Sequence, residues 1–285
     1  MNVRQAISRY YRLAKPGIVY GNAIAFIAGY FVYTETFAID WLSFAMSLLG
    51  ICLVMASSCV ANNMYDQDMD SMMARTKNRA LVVQTISMRS AAIYSAVLLV
   101  LGVMLLYVYG GLLSAILVVV GWIAYAIVYT RAKRVTRHAT LIGTIPGALP
   151  PVIGYVAAGG YIDMVAGLLF VAMMAWQMPH FYAIALFRKK DYQQAKIPVT
   201  PIVMGDHRTK LEMQWYAGLF IVASLLLGYW IGLLYLFITA IMCIWIIRQL
   251  TVSSTDITKW ARTQFKTSLI VLLIWSVSLV IGSVL

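Results

Sequence analysis

Negative charge is scarce in this 285-residue sequence. Asp and Glu together number 10 against 22 Lys and Arg, and all charged types make up only 11% of the chain. Soluble domains carry about 25% charged residues. A soluble chain that is 62% apolar could not cover its core with polar surface, so an ordinary cytosolic globule is excluded, as is a disordered chain. Cysteine is scarcer still, at three residues. Cys52, Cys59 and Cys243 all lie in strongly apolar stretches without metal-ligand company, which excludes a disulfide scaffold and leaves them as small buried residues. There is no low-complexity tract and no strong repeat. What remains is an all-α, polytopic membrane protein, with a mean hydropathy of +0.83. In a soluble protein the net charge of +12 would invite a nucleic-acid partner. Here no nucleic acid is expected, because membrane proteins gather Lys and Arg on the cytoplasmic side to set orientation.

About 20 apolar residues are needed for a helix to cross a bilayer. That ruler gives nine transmembrane helices, at roughly 17–34, 41–61, 90–109, 112–130, 140–159, 163–187, 213–232, 234–250 and 267–285. Gly110-Gly111 and Gly232 mark very short turns, so two of these pairs read as helical hairpins. With the amino terminus inside, the inner segments 1–16, 62–89, 131–139, 188–212 and 248–266 hold all 22 Lys and Arg. The outer segments hold only Glu35, Asp40 and Asp163. A wrong parity would scatter cations to both faces. The expected location is therefore a bacterial cytoplasmic (inner) membrane, with the amino terminus cytoplasmic and the carboxyl terminus on the outer side. Segment 1–16 reads as an interfacial helix rather than a signal peptide. Residues 1–285 read as one domain, with 62–89 and 188–212 as its active-site loops.

Three of the ten carboxylates crowd into Asn62-Asn63-Met64-Tyr65-Asp66-Gln67-Asp68-Met69-Asp70. On a continuing helix Asn62, Asp66 and Asp70 share one face and Asp68 points away. Like charges on one face repel and call for a compensating cation. Mg²⁺ suits, since it accepts one or two carboxylates and completes its shell with water and phosphate oxygens. The resemblance to an EF-hand fails at Ser71 and Lys77, where Gly and Glu are required. Arg75, Lys77 and Arg79 follow and could hold a diphosphate. The long loop after the sixth span is preceded by Trp176-Gln177-Met178-Pro179-His180-Phe181-Tyr182, and its Arg188, Lys190 and Asp191 repeat the pairing of cations with a carboxylate. His180 is the only histidine expected near a span interior. The basic run Arg131–His138 contains no carboxylate and reads as a contact for anionic lipid head groups or, less simply, for a substrate carboxylate.

Asn62-x₃-Asp66-x₃-Asp70 closing the second span, followed by Arg75-Thr76-Lys77-Asn78-Arg79, resembles the first motif of the UbiA-type intramembrane prenyltransferases. Lys15-Pro16-Gly17-Ile18, Pro150-Pro151-Val152-Ile153-Gly154-Tyr155, Trp176 through His180, and Asp191-Tyr192 narrow the resemblance to the heme-farnesylating subfamily, the heme o synthases. The resemblance covers nearly the whole chain, in order. It implies a nine-helix bundle around a lipid-open cavity, farnesyl diphosphate and heme b as substrates, and Mg²⁺ as cofactor. It implies that Asn62, Asp66 and Asp70 form the catalytic first motif, with Asp66 and Asp70 as metal ligands. Arg75, Lys77, Arg79, Arg188 and Lys190 would bind diphosphate, Tyr182 and Asp191 would mark the second motif, and His180 would contact heme. Hand-over of product to a terminal oxidase or a heme-modifying enzyme belongs to the same implication. Arg188, Lys189 and Lys190 stand where quinone-forming relatives carry further aspartates, which puts a second aspartate-built metal site in doubt. The alternatives are a prenyltransferase for a quinone-type aromatic acceptor and, further off, a secondary transporter. The latter sits poorly with spans almost free of charge at midplane.

Overall fold

The computed structural model describes residues 3–252 and 254–285, all of their regular structure helical. The first two residues of the expected interfacial segment lie outside that set. The described part of the segment is α1 (Val3–Leu13), strongly amphipathic. Next come α2 (Pro16–Thr34), α3 (Trp41–Tyr65), the short α4 (Gln67–Met72) and α5 (Met88–Ile123). A π-helical turn, Ala124–Tyr129, continues α5 into α6 (Thr130–Ala132). The second half comprises α7 (Ala139–Ala157), α8 (Met164–Phe187), α9 (Lys189–Gln194), α10 (Thr200–Val203), α11 (Gly205–Ile231), α12 (Leu233–Thr251) and α13 (Ile257–Val284).

Among the described residues eight helices are long and apolar enough to cross a membrane, counting Met88–Ala132 as one. That helix turns back on itself. The hydroxyl of Ser57 donates to the carbonyl of Ser95 (2.8 Å) and accepts from the indole of Trp122 (3.0 Å). A straight helix would hold Ser95 and Trp122 about 40 Å apart. The reversal is at Gly111, whose φ of 82° is open to glycine and strained for other residues. Two antiparallel arms therefore stand where the sequence reading places its third and fourth spans, and the described residues make nine passes.

Helices in lipid gain little from the hydrophobic effect and associate through close packing of small residues. Two crossings show this directly. A Cβ built on Gly102 of α5 would lie 2.6 Å from the carbonyl oxygen of Gly50 on α3. One built on Gly29 of α2 would lie 1.8 Å from the carbonyl oxygen of Pro151 on α7. Helix α7 absorbs Pro146, Pro150 and Pro151 while remaining helical, its buried face against α2, α5 and α8. Helix α8 packs on α7, α11 and α13, and α13 returns to α2, closing the bundle. One core joins α2, α3 and α5 to α7 through Phe26, Ile51, Leu106 and Ile153, and a larger one, including Leu169, Phe220, Tyr235 and Trp275, joins α8, α11, α12 and α13 to α2 and α7. Side chains such as Val108, Leu112, Tyr229 and Phe237 point outward.

Several helices outrun the expected spans. Helix α3 continues to Tyr65, α11 begins at Gly205 and α13 at Ile257, so much of the charged inner face is helical. Asp256 starts α13 by accepting the backbone N–H groups of Thr258 (2.9 Å) and Lys259 (3.0 Å). The expected uninterrupted helix through Asp70 is corrected. Asp66 adopts φ −90°, ψ 1° and separates α3 from α4. The helical hydrogen bonds survive the break, from Asp66 N–H to the Asn62 carbonyl (3.0 Å) and from Asp70 N–H to the Asp66 carbonyl (2.8 Å).

Candidate functional site

The end of α3 and the start of α4 aim Asn62, Asp66 and Asp70 inward, each at most 5% exposed. Asp68 points out, its side chain 61% exposed. A buried carboxylate without a partner is costly, and the chain supplies partners from several segments. Lys15, which ends the α1–α2 link, donates from Nζ to Asn62 Oδ1 (2.8 Å). Asn62 Nδ2 donates to Thr130 Oγ1 (3.0 Å), which orients its amide. Lys133, just past α6, pairs with Asp66 through Oδ2. Arg79 Nη1 donates to Asp70 Oδ2 (2.5 Å) and to Asn63 Oδ1 (3.1 Å). Three cations thus surround two carboxylates. Burial pulls the Lys15 amine down to about 8, an effect opposed by its carboxylate neighbour Asp66 and reinforced by Arg79 and Lys133. Burial likewise lowers Lys133, while Asp66 acts against that.

One atom in this cluster is left over. Asp66 Oδ1 is buried and has no hydrogen-bond partner. A hard anionic oxygen beside a second carboxylate is what a hard divalent cation seeks. Among the described residues no three His, Cys, Asp or Glu side chains form a potential metal cage. A cation held here would complete its shell with water or substrate oxygens. The residues present fit Mg²⁺ on those terms.

The two long inner loops meet. Met69 and Met73 pack in one buried cluster with Ala195 and Ile197, flanked by Tyr192 and Val199. The second-motif residues divide within this mouth. Tyr182 is buried and donates its phenolic hydrogen to Glu212 Oε2 (2.7 Å). Glu212 Oε1 accepts from Arg208 Nε (3.2 Å) and lies 3.6 Å from Arg137 Nη1. Arg188 lies 3.8 Å from Asp191 and over the ring of Phe187. Lys190 is exposed, and it is Lys189 that forms an ion pair, with Asp206 at 2.7 Å. In the first basic run only Arg79 reaches the carboxylates. Arg75 is exposed but within electrostatic reach of the partly buried Tyr192, and Lys77 is exposed with no side-chain partner among the described residues.

The basic segment 131–139 departs most from expectation. Its sequence reading turns it to lipid head groups. The structure pairs Lys133 with Asp66, Arg134 with both oxygens of Asp68 (2.7 and 2.8 Å), and Arg137 with Glu212. For Lys133 the reason is electrostatic: the buried carboxylate of Asp66 is a stronger partner than a diffuse, screened lipid surface. The adjoining π-helical turn supplies Tyr125 and Tyr129, stacked at 5.4 Å and within electrostatic reach of Asp66. Tyr129 lies against Gly143 of α7.

His180 sits apart from the charged groups. Its Nδ1 is 2.8 Å from Ser268 Oγ, and its ring lies between Trp176 and Phe265. A shallow, half-open cleft beside it is lined by Trp176, Met213, Phe220, Ile246 and Ser268 among others.

Lys15, Lys133, Arg137 and Glu212 were not assigned to the site by sequence reasoning. Parity does put all four on the inner face, and Glu212 is one of only ten acids. Their convergence requires the packing of α2, α5, α8 and α11.

Comparison with known proteins identifies the family and the fold. Residues 22–276 match the model of the UbiA prenyltransferase family. The chain is 40% identical over 273 residues to the protoheme IX farnesyltransferase of Aliivibrio salmonicida, covering 94% of each chain. Its fold is similar to that of a digeranylgeranylglyceryl phosphate synthase (TM-score 0.80, 20% identity, 98% and 99% coverage). It is also similar to a UbiA homolog from Archaeoglobus fulgidus bound to GPP and Mg²⁺ (TM-score 0.66, 17% identity, 95% and 99% coverage).

Proposed function

We propose, from the premise that the chain belongs to the UbiA prenyltransferase family, that it transfers a farnesyl group from farnesyl diphosphate to a vinyl group of heme b, giving heme o and diphosphate. The observation that carries this reading is the buried Asn62–Asp66–Asp70 face with its unpartnered oxygen, closed by cations at the inner end of an apolar bundle in a chain so similar to a protoheme IX farnesyltransferase. The whole chain acts as one domain, with 62–89 and 188–212 as the active-site loops. It is a multi-pass membrane protein. We place it in a bacterial inner membrane, amino terminus inside, with heme o passing to a terminal oxidase or a heme-modifying enzyme.

In the reaction the C1–O bond of farnesyl diphosphate breaks and the electron pair leaves with diphosphate. The terminal vinyl carbon bonds to farnesyl C1. The cation left on the inner vinyl carbon takes hydroxide from water, whose other proton is released. Asp66 and Asp70 would hold Mg²⁺, which supplies neutralising charge to the departing diphosphate. Arg79 and Lys15 stabilise the same charge directly, and Asn62, its amide fixed by Lys15 and Thr130, orients the head group. Arg75, Lys77, Arg188 and Lys190 ring the mouth and attract the anion over longer range. The stacked faces of Tyr125 and Tyr129 suit a developing allylic cation. The apolar bundle keeps that cation from premature capture by water. Tyr182 and Asp191 shape the acceptor side of the mouth. His180 contributes a heme contact through the ring nitrogen that Ser268 leaves free.

The test is incubation of the purified protein with heme b, farnesyl diphosphate and Mg²⁺, followed by mass analysis of the pigment. A gain of one farnesyl and one hydroxyl group is expected. Prenylation of a phenolic acceptor in place of heme would overturn the reading.

A further inference from the structure

Arg137 and Arg208 share a single carboxylate. Glu212 has given Oε2 to Tyr182 and Oε1 to Arg208, and Arg137 stands 3.6 Å away, beyond hydrogen-bond length. The side chain of Glu212 is only 15% exposed, whereas those of Arg137 and Arg208 are 29% and 56% exposed. One partly buried anion therefore holds two guanidinium groups at the mouth, leaving a surplus positive charge and free N–H donors. A guanidinium fork matches a carboxylate in two parallel hydrogen bonds. The pair also stands at a defined place. Lys133, which faces the Asp66 carboxylate, and Arg137 belong to one short segment, so it spans from the Asp66–Asp70 cluster to Glu212.

Resting on the heme-farnesylation reading above, we propose that Arg137 and Arg208 are the seat of the propionate carboxylates of the heme substrate, positioned by Glu212. Vinyl and propionate groups occupy opposite edges of the macrocycle. A heme anchored by its propionates at Arg137 and Arg208 turns its vinyl edge toward Asp66 and Asp70, where the allylic diphosphate is held. The arrangement separates the two anions the mouth must recognise: diphosphate at Lys15, Arg79 and the carboxylates, and propionate at Glu212.

The probe is heme b against its dimethyl ester, which keeps the ring and vinyl groups and removes both negative charges. Binding to the full-length protein in nanodiscs is read by Soret titration without farnesyl diphosphate, and KM values are read with it. The wild type is expected to favour the free acid by about tenfold to a hundredfold, the range for losing charge-assisted hydrogen bonds. Arg137→Gln/Arg208→Gln should bring acid and ester to near parity while leaving the KM for farnesyl diphosphate unchanged. Arg208→Gln alone, at the more exposed position, should show a partial loss and serves if the double variant misfolds. A preference that survives in these variants, or a wild type indifferent to esterification, overturns the proposal. So does an anionic-lipid outcome, in which the variants alter only the dependence on nanodisc lipid charge. The titration keeps the tests separable: absence of farnesylated product with either porphyrin refutes the heme-transfer reading, while the acid-to-ester binding ratio still decides the carboxylate seat.

Discussion

Replacing Lys133 with Met tests the electrostatic core of the site without touching either carboxylate. The Lys133 and Asp66 side chains are 12% and 7% exposed, so theirs is a buried pair. Removing one member of such a pair leaves an uncompensated buried charge, at a cost of about 3–5 kcal/mol. Met has similar length and apolar character, which keeps the packing loss small. On the scale of soluble domains of up to 250 residues, that cost lowers the thermal midpoint by roughly 6–20 °C. The lost cation can be replaced from solution. In Lys133→Met both Asp66 oxygens lack a protein partner, and Mg²⁺ at a hundred times its dissociation constant would restore about 2.7 kcal/mol. In the wild type the same ion must first displace Lys133, so its stabilising effect is smaller. The assay is tryptophan-monitored thermal unfolding of both proteins in detergent, with Mg²⁺ titrated from zero and Ca²⁺ as a comparison. A variant as stable as the wild type, or equal Mg²⁺ shifts in the two, would refute the reasoning.

Three further outcomes are expected. Asp66→Asn keeps size and polarity but removes the charge facing the orphaned position. Turnover should fall by about 10²–10³-fold with the protein still folded and membrane-inserted, as judged by gel filtration and near-UV circular dichroism. Arg79→Ala should raise the KM for farnesyl diphosphate by about tenfold or more, whereas Lys77→Ala, an exposed side chain without a partner, should change it by less than about twofold. Affinity for farnesyl diphosphate should fall as pH rises through about 8, where the Lys15 amine loses its proton. Lys15→Arg should flatten that limb. Over the same window the unfolded chain still holds a proton that the folded chain has released, so this group's contribution to stability rises with pH. A fall in affinity accompanied by unfolding would contradict the assignment.

Much of the fold follows from residue type alone. The confinement of all 22 cations to alternate segments sets parity, and parity together with the ruler of bilayer thickness sets nine passes. Even the run 88–132, which keeps helical hydrogen bonding nearly throughout, reverses at the Gly111 that the sequence marks. The inner ends of the helices were less legible. Hydropathy stops at the first charges, but a helix in water loses nothing by continuing when a cap such as Asp256 satisfies its first N–H groups. That is why α13 begins well before the apolar span it carries.

The site was legible where its chemistry is local. Asn62, Asp66 and Asp70 recur at helical spacing, and their hydrogen bonds preserve that spacing even where the backbone breaks at Asp66. Where the chemistry depends on pairing at a distance, the sequence was silent. Lys133 follows Asp66 by 67 residues, and Glu212 follows Tyr182 by 30. Nothing in a run of arginines and lysines tells a cation aimed at lipid from one aimed at a buried acid; the distinction is made by desolvation. At the rim of a membrane a cation facing lipid keeps its water and its freedom. One drawn over the end of α3 surrenders both, and does so only because an ionised carboxylate there has no other partner. Segment 131–139 is therefore best understood as part of the acidic motif's own design: ten acids in so basic a chain are few enough that each buried one determines where the nearest cations must fold.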